Sequence, residues 1–142
     1  MARDMTTEEW HEFVCEGTRT GKLATTRADG RPHVTPVWIV LDGDDVVLTT
    51  GSDSVKAKTI RREPRVSLVV DDQAPPYSYV MVEGTATLHD DLDEMLPIAT
   101  RIGARYMGPD RAEEFGRRNA VPGELLVRIR PAKVLAYADI SA

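Results

Sequence analysis

The stretch GKLATTRADGRPHVTPVWIVLDGDDVVLTT, residues 21–50, carries two tight-turn signals in quick succession. Ala28-Asp29-Gly30 is a strong short-range hairpin signal, because Asp-Gly tolerates the positive φ that a tight reversal needs. Asp42-Gly43-Asp44 is a second. Between and around them lie β-favouring runs, so residues 22–27, 32–41 and 46–50 are expected to form a three-stranded meander. Turns this short join antiparallel neighbours only, and a doubly wound parallel sheet, which needs a helix between most strands, is excluded.

Working outward, Gly51-Ser52-Asp53-Ser54 breaks the third strand and offers an N-cap to a short helix at 55–62, which Pro64 stops. Residues 66–70 form a nearly continuous apolar strand, the pattern of burial on both faces. Asp71 to Pro76 is a loop, and a fifth strand at 79–88 alternates, with Val80, Val82, Gly84, Ala86 and Leu88 on one side and Met81, Glu83, Thr85 and Thr87 on the other. A helical segment opened by Asp90–Glu94 and running to about Tyr106 follows, then a second at about 111–118, separated by Gly108-Pro109-Asp110. The last strand, 125–138, contains Pro131, which demands an edge or a bulge. Ahead of everything, Thr6 or Thr7 caps a helix to about Glu16 whose apolar stripe is Trp10, Phe13 and Val14, with Cys15 expected as a packed thiol beside it. The whole reads as one domain over 1–142, mainly β with peripheral helices: a six-stranded antiparallel barrel.

Composition narrows the function. The chain has 142 residues, 42% hydrophobic, enough for one core, and a net charge of −5 that gives no general grip on a nucleic-acid backbone. No apolar run reaches the 18 or so residues of a membrane span and the first residues are polar, so a cytoplasmic protein is expected. One cysteine excludes an intramolecular disulfide, and His11, His33 and His89 lack metal-ligand spacing. Phosphate-loop, dinucleotide and nucleophile-elbow motifs are absent.

Two segments remain with chemistry in them. In Thr49–Thr59 a strand delivers hydroxyls into a turn that opens a helix bearing Lys56 and Lys58, two of only four lysines. Helix-start N–H groups beside ammonium groups suit a phosphate or carboxylate; a solvated surface helix with a Ser cap is the plain alternative. In Arg31–Trp38, Pro36 removes a ladder donor from a strand, leaving backbone groups free for a planar ligand, with Trp38 either lining that site or simply packed. His33, just after the hairpin, is expected in solvent.

Taken together, Leu23–Trp38, Thr50–Thr59 and Tyr77–Ala86 resemble, in order and spacing, the pyridoxamine 5'-phosphate oxidase-like split β-barrel superfamily, and most closely its actinobacterial deazaflavin-dependent reductases, which use coenzyme F420 in place of FMN. The resemblance implies a six-stranded split barrel that dimerises with two cofactor sites at the subunit interface. It implies that Thr35, Pro36, Val37 and Trp38 hold the ring, with Thr50 beneath it. Lys56 and Lys58, with Thr59 beside them, would take the cofactor phosphate, and Tyr77, Ser78 and Tyr79 would reach in from the partner subunit. The family varies at Lys56 and Tyr77. The chain lacks the C-terminal arginine segment that grips substrate phosphate in the classical oxidases, which disfavours vitamin B6 oxidation. The implied activity is hydride transfer from reduced F420 to a conjugated or quinone-like acceptor. The alternatives are an FMN-dependent oxidoreductase and a non-catalytic carrier of F420, FMN or haem.

Overall fold

A computed structural model describes residues 2–142. In chain order the elements are β1 (Arg3–Asp4), α1 (Thr7–Cys15), β2 (Gly21–Thr26), β3 (Pro32–Val37), β4 (Val40–Asp42), β5 (Asp45–Gly51), α2 (Val55–Arg62), β6 (Arg65–Asp71), β7 (Tyr79–His89), α3 (Leu92–Met107), α4 (Ala112–Asn119) and β8 (Glu124–Ala138). All strand pairs are antiparallel, in the spatial order β3-β2-β6-β7-β8-β5-β4, with β1 added to β8. The path does not close, so the sheet is an open, split barrel with helices outside it, the expected mainly-β class.

The six expected strands are present, but the one expected over 32–41 is broken at Trp38 and Ile39, and β1 is additional. The break overturns the expected meander. It sends β3 to one edge beside β2 and β4 to the other beside β5, whose second neighbour is β8. Its cause lies far away in sequence. The Ile39 N–H donates to the Tyr106 hydroxyl at 3.1 Å and the Ile39 carbonyl accepts from Arg105 at 2.8 Å, so side chains of α3 take the backbone groups that a ladder would use.

Local chemistry accounts for most other boundaries. Thr6 and Glu9 form a reciprocal capping box on α1, and Trp10, Phe13 and Val14 are its buried stripe. Cys15 is exposed, not packed, because the stripe ends at Val14. Strand β6 alternates instead of burying both faces: Val66, Leu68 and Val70 are buried, while Ser67 and Val69 on the outer face are half-buried. The strand buried on both faces is β5, where Val46 and Leu48 enter the barrel core and Val47 packs under α3 with Met95, Ile98 and Leu126.

Pro131 sits at a bulge. Glu83 faces Lys133 and Gly84 faces Pro131, leaving Ala132 extra. A Cβ at Gly84 would lie inside the contact radius of the Arg130 carbonyl oxygen, so the bulge and the glycine require one another. The contact is with backbone, which cannot rotate away. Gly84→Ala is therefore expected to lower stability by about 1–3 kcal/mol, the cost of overpacking, measured by urea unfolding; an unchanged midpoint would show that the bulge yields freely.

Candidate functional site

The broken strand creates the site. Strand β3 is an edge, paired only with β2, and Pro36 lies within it. Next to it Trp38, outside any ladder, stays 38% exposed although its ring is stacked on Tyr106 at 5.1 Å with 6° between planes. The Phe115 ring of α4 lies 6.2 Å from the Trp38 ring, tilted by 57°. The Tyr106 hydroxyl also donates to the Arg19 carbonyl at 2.8 Å, and burial pushes its phenol pKa up, keeping it a neutral donor. Trp38 is thus held by packing and by a hydrogen-bonded neighbour, and its orientation is fixed.

Pro36, Val37, Trp38, Thr49, Thr50, Lys56, Ile102, Asn119 and Glu124 line one open cleft of about 320 Å³. Thr50 is buried, and its hydroxyl donates to Ser54 Oγ at 2.9 Å, which in turn accepts the Ala57 N–H at 3.0 Å. The two hydroxyls lock the passage from β5 into α2 and aim the first turn of the helix. Lys56 on that turn has neither hydrogen bond nor ion pair among the described residues. An ammonium left unpaired beside an aromatic wall is a ready partner for an anion on a planar ligand.

Beside this cleft, β2 and β3 place Thr25, His33 and Thr35 on one face, in the register Thr25 to His33 and Leu23 to Thr35. The buried Thr25 Oγ1, His33 Nδ1 and Thr35 Oγ1 have no partner. Burial, then the charges of Arg27 and Lys56, hold the His33 pKa below its ordinary value. Contrary to expectation His33 is half-buried, because its strand face turns inward toward α2 instead of into solvent. The unsatisfied hydroxyls and imidazole nitrogen, with Lys56 nearby, fit an anionic group such as a phosphate.

Of the residues picked from sequence, Pro36, Val37, Trp38, Thr50 and Lys56 come together in the cleft, with Thr35 on the adjoining strand face. The Val37 side chain points into the core, so its part in the cleft is mainly backbone. Lys58 is exposed and about 200° around the helix from Lys56, and Thr59 is buried beneath it. Tyr77, Ser78 and Tyr79 lie elsewhere in the chain, lining a separate cavity of about 420 Å³ with Lys22, Val69, Asp71, Asp72 and Ile140. There Tyr77 has a left-handed φ of 57° and is 43% exposed, while Tyr79 packs on Tyr137 at 5.7 Å. Ile102, Asn119 and Glu124 escaped the sequence reading. No local motif marks them; only the return of α3, α4 and β8 to the cleft brings them in.

The arrangement is an antiparallel split barrel with an open edge-strand cleft and a helix-start lysine left without a partner among the described residues. The family model for pyridoxamine 5'-phosphate oxidase matches residues 6–138, and the chain belongs to that family. It is 29% identical over 121 residues to the F420H(2)-dependent biliverdin reductase of Mycobacterium tuberculosis (strain CDC 1551 / Oshkosh), covering 83% of this chain and 79% of that one. Among solved structures it is similar to the conserved hypothetical protein Rv2991 of Mycobacterium tuberculosis, with TM-score 0.85 and 28% identity over 96% of this chain and 87% of that one. It is also similar to an F420 reductase, with TM-score 0.67 and 25% identity over 87% and 94% of the two chains.

Removing the Tyr106 hydroxyl strands the Ile39 N–H and leaves the Arg19 carbonyl only its longer bond from Arg105. Tyr106→Phe is expected to cost about 1–3 kcal/mol of stability, the penalty for an unsatisfied buried group, while the stack on Trp38 persists. Thermal unfolding reads the first, and unchanged Trp38 fluorescence in a Trp10→Phe background reads the second. A loss of both would assign the hydroxyl, not the ring, the task of placing Trp38.

Proposed function

We propose that this protein is an F420-dependent oxidoreductase that passes a hydride from the reduced deazaflavin to a conjugated or quinone-like acceptor. The observation that carries the reading is the meeting of a clamped, half-exposed Trp38, an open β-edge and an unpaired Lys56 in one cleft. The F420-using relatives support it. When bound, the deazaflavin supplies a two-electron hydride donor. The protein's residues do the rest: Thr35, Pro36, Val37 and Trp38 hold the ring edge and face, Thr50 sets the floor, and Lys56 takes the phosphate.

In this reading Lys58 and Thr59 support Lys56 from the same helix, and a second copy of the chain completes the site. Tyr77, Ser78 and Tyr79 lie outside the cleft of their own chain, with Tyr77 exposed in a strained conformation, and they are proposed to reach the partner's cleft. Val34, 62% exposed in the middle of β3, and half-buried Val69 and Met81 give the outer sheet face an apolar surface for such a partner. Sedimentation should then give twice the 15.7 kDa chain mass.

Fluorescence titration with oxidised F420 and, separately, FMN tests the cofactor. F420 is expected to bind more tightly; micromolar FMN binding with no affinity for F420 would overturn the choice. Oxidation of reduced F420 is then followed against quinones, enones and linear tetrapyrroles, and no acceleration with any of them would make the protein a carrier. Lys56→Ala is expected to weaken F420 binding by about 1.5–3 kcal/mol, the scale of a charge-assisted hydrogen bond, and Lys58→Ala by less, because Lys58 stands on the exposed side of α2. Equal affinity in wild type and Lys56→Ala would remove the cleft from consideration.

A further inference from the structure

The second ionisable group lining the cleft is Glu124, the first residue of β8. Its backbone is fixed: it pairs with Gly51 across the sheet, its N–H donates to the Val121 carbonyl at 3.1 Å, and the preceding Gly123 carbonyl accepts the Ser52 N–H at 2.8 Å. Its carboxylate lies back over Gly51, so close that a Cβ there would meet Oε2 at 3.4 Å. The position is therefore at the turn that opens α2, in the same cleft as Lys56. Yet the carboxylate has no hydrogen bond or ion pair among the described residues, with Lys56 or any other group.

We propose that Glu124 is the acid of this cleft, taking up a proton as an anionic ligand enters and giving that proton to the acceptor. This rests on the functional reading above. Burial alone raises the Glu124 pKa. A ligand anion attracted by Lys56 adds negative charge to the same cleft, and a like charge favours the neutral acid further. Among the groups of its own chain none facing the region competes with Glu124 as an acid, since the Tyr106 hydroxyl is spent on the Arg19 carbonyl; the phenols of Tyr77 and Tyr79 would enter from the second copy. Lys56 is cationic, Asp53 in the turn is exposed, Arg61 is spent on the Ser52 carbonyl, and Arg118 lies over the Phe115 ring. Thr49, Thr50, Ile102 and Asn119 carry no charge. His33, near Lys56, is the other titratable group of the region, and burial holds its pKa below the ordinary imidazole value.

The chemistry needs such a group. Reduction of a conjugated acceptor adds a hydride, carrying two electrons, and then a proton. With a reduced deazaflavin bound, the hydride would come from it and the proton from the Glu124 O–H, leaving a carboxylate that would regain a proton from solvent. Linkage gives the sign: the ligand-bound protein holds more protons than the free protein, so affinity for the anion is greatest at low pH. It falls by up to about tenfold per pH unit as pH rises from the free to the bound pKa of Glu124.

The test compares wild type, Glu124→Gln and His33→Gln, each first shown to be folded by circular dichroism. Calorimetric titration with oxidised F420 in buffers of different ionisation enthalpy is expected to show proton uptake in wild type and His33→Gln and its loss in Glu124→Gln. Glu124→Gln should bind F420 above pH 7 at least as tightly as wild type. Single-turnover reduction of an acceptor that accelerates oxidation of reduced F420 in wild type should fall by about 10²-fold or more in Glu124→Gln, with loss of the high-pH limb seen in wild type. Uptake that survives in Glu124→Gln and vanishes in His33→Gln moves the proton to the histidine and overturns the proposal, as do equal single-turnover rates. Tight F420 binding without proton uptake overturns the proposal and leaves the functional reading standing; failure to bind F420 overturns both.

Discussion

The structure depends on the capture of one residue's backbone by two side chains. Arg105 and Tyr106, adjacent on α3, take the carbonyl and the N–H of Ile39. The Arg105 guanidinium also donates to the carbonyls of Val14 at 2.6 Å, Gly17 at 2.9 Å and Arg19 at 3.3 Å. In doing so it supplies positive charge to the C-terminal end of α1, which carries no basic residue in its last turn. One planar, five-donor group thus ties the end of α1, the approach to β2, the break after β3 and the outer helix α3 into a single joint. Without it the run from Pro32 to Leu41 has every local reason to continue as one strand. With it, consecutive strands end at opposite edges of the sheet, and the edge next to Trp38 stays open.

This explains what could be read from the chain and what could not. The Asp29-Gly30 and Gly43-Asp44 reversals, the capping box at Thr6, the Ser54 cap and the alternation of β7 are local devices, and each sits where its residues say. Pro131 announced a bulge, and the bulge is there, matched by Gly84 on the neighbouring strand. The break at Ile39 is invisible locally because its partners are 66 and 67 residues away. The same logic governs the candidate site. Trp38, Thr50 and Lys56 stand in short segments with a characteristic order, so they were legible. Ile102, Asn119 and Glu124 reach the cleft only through tertiary return of three later elements. The His33 environment was misjudged for a related reason: the side of β3 that faces inward is set by where α2 lies.

Charge follows the same division between global and local. The chain is acidic overall, at −5, yet Lys56 is left without a carboxylate partner. Elsewhere carboxylates are plentiful and used: Arg128 alone meets Asp42 at 2.9 Å, Asp45 at 3.2 Å and Glu94 at 3.5 Å. Pairs are found near the open edge as well, with Arg31 on Asp29 at 2.7 Å in the β2–β3 turn and Lys22 on Asp71 at 2.8 Å. A net charge speaks about long-range attraction, and the potential inside a cleft is decided by the few groups that line it. Here those are one cation and one carboxyl, not in contact.

The arrangement also bears on turnover against storage. A carrier gains most by covering both faces of a planar ligand, whereas hydride transfer needs one face held and the other open to an acceptor at reacting distance. In this chain one wall is fixed by the stack of Trp38 on Tyr106 and the locked Thr50–Ser54 turn. Ile102, one turn before Tyr106 on α3, and Asn119 at the end of α4 line the same cleft. The rigid stack supplies one fixed surface for a planar group, a requirement that turnover and storage share. The cleft thus draws its lining from the barrel, through Pro36, Val37, Thr49 and Thr50, and from the outer helices, through Ile102 and Asn119.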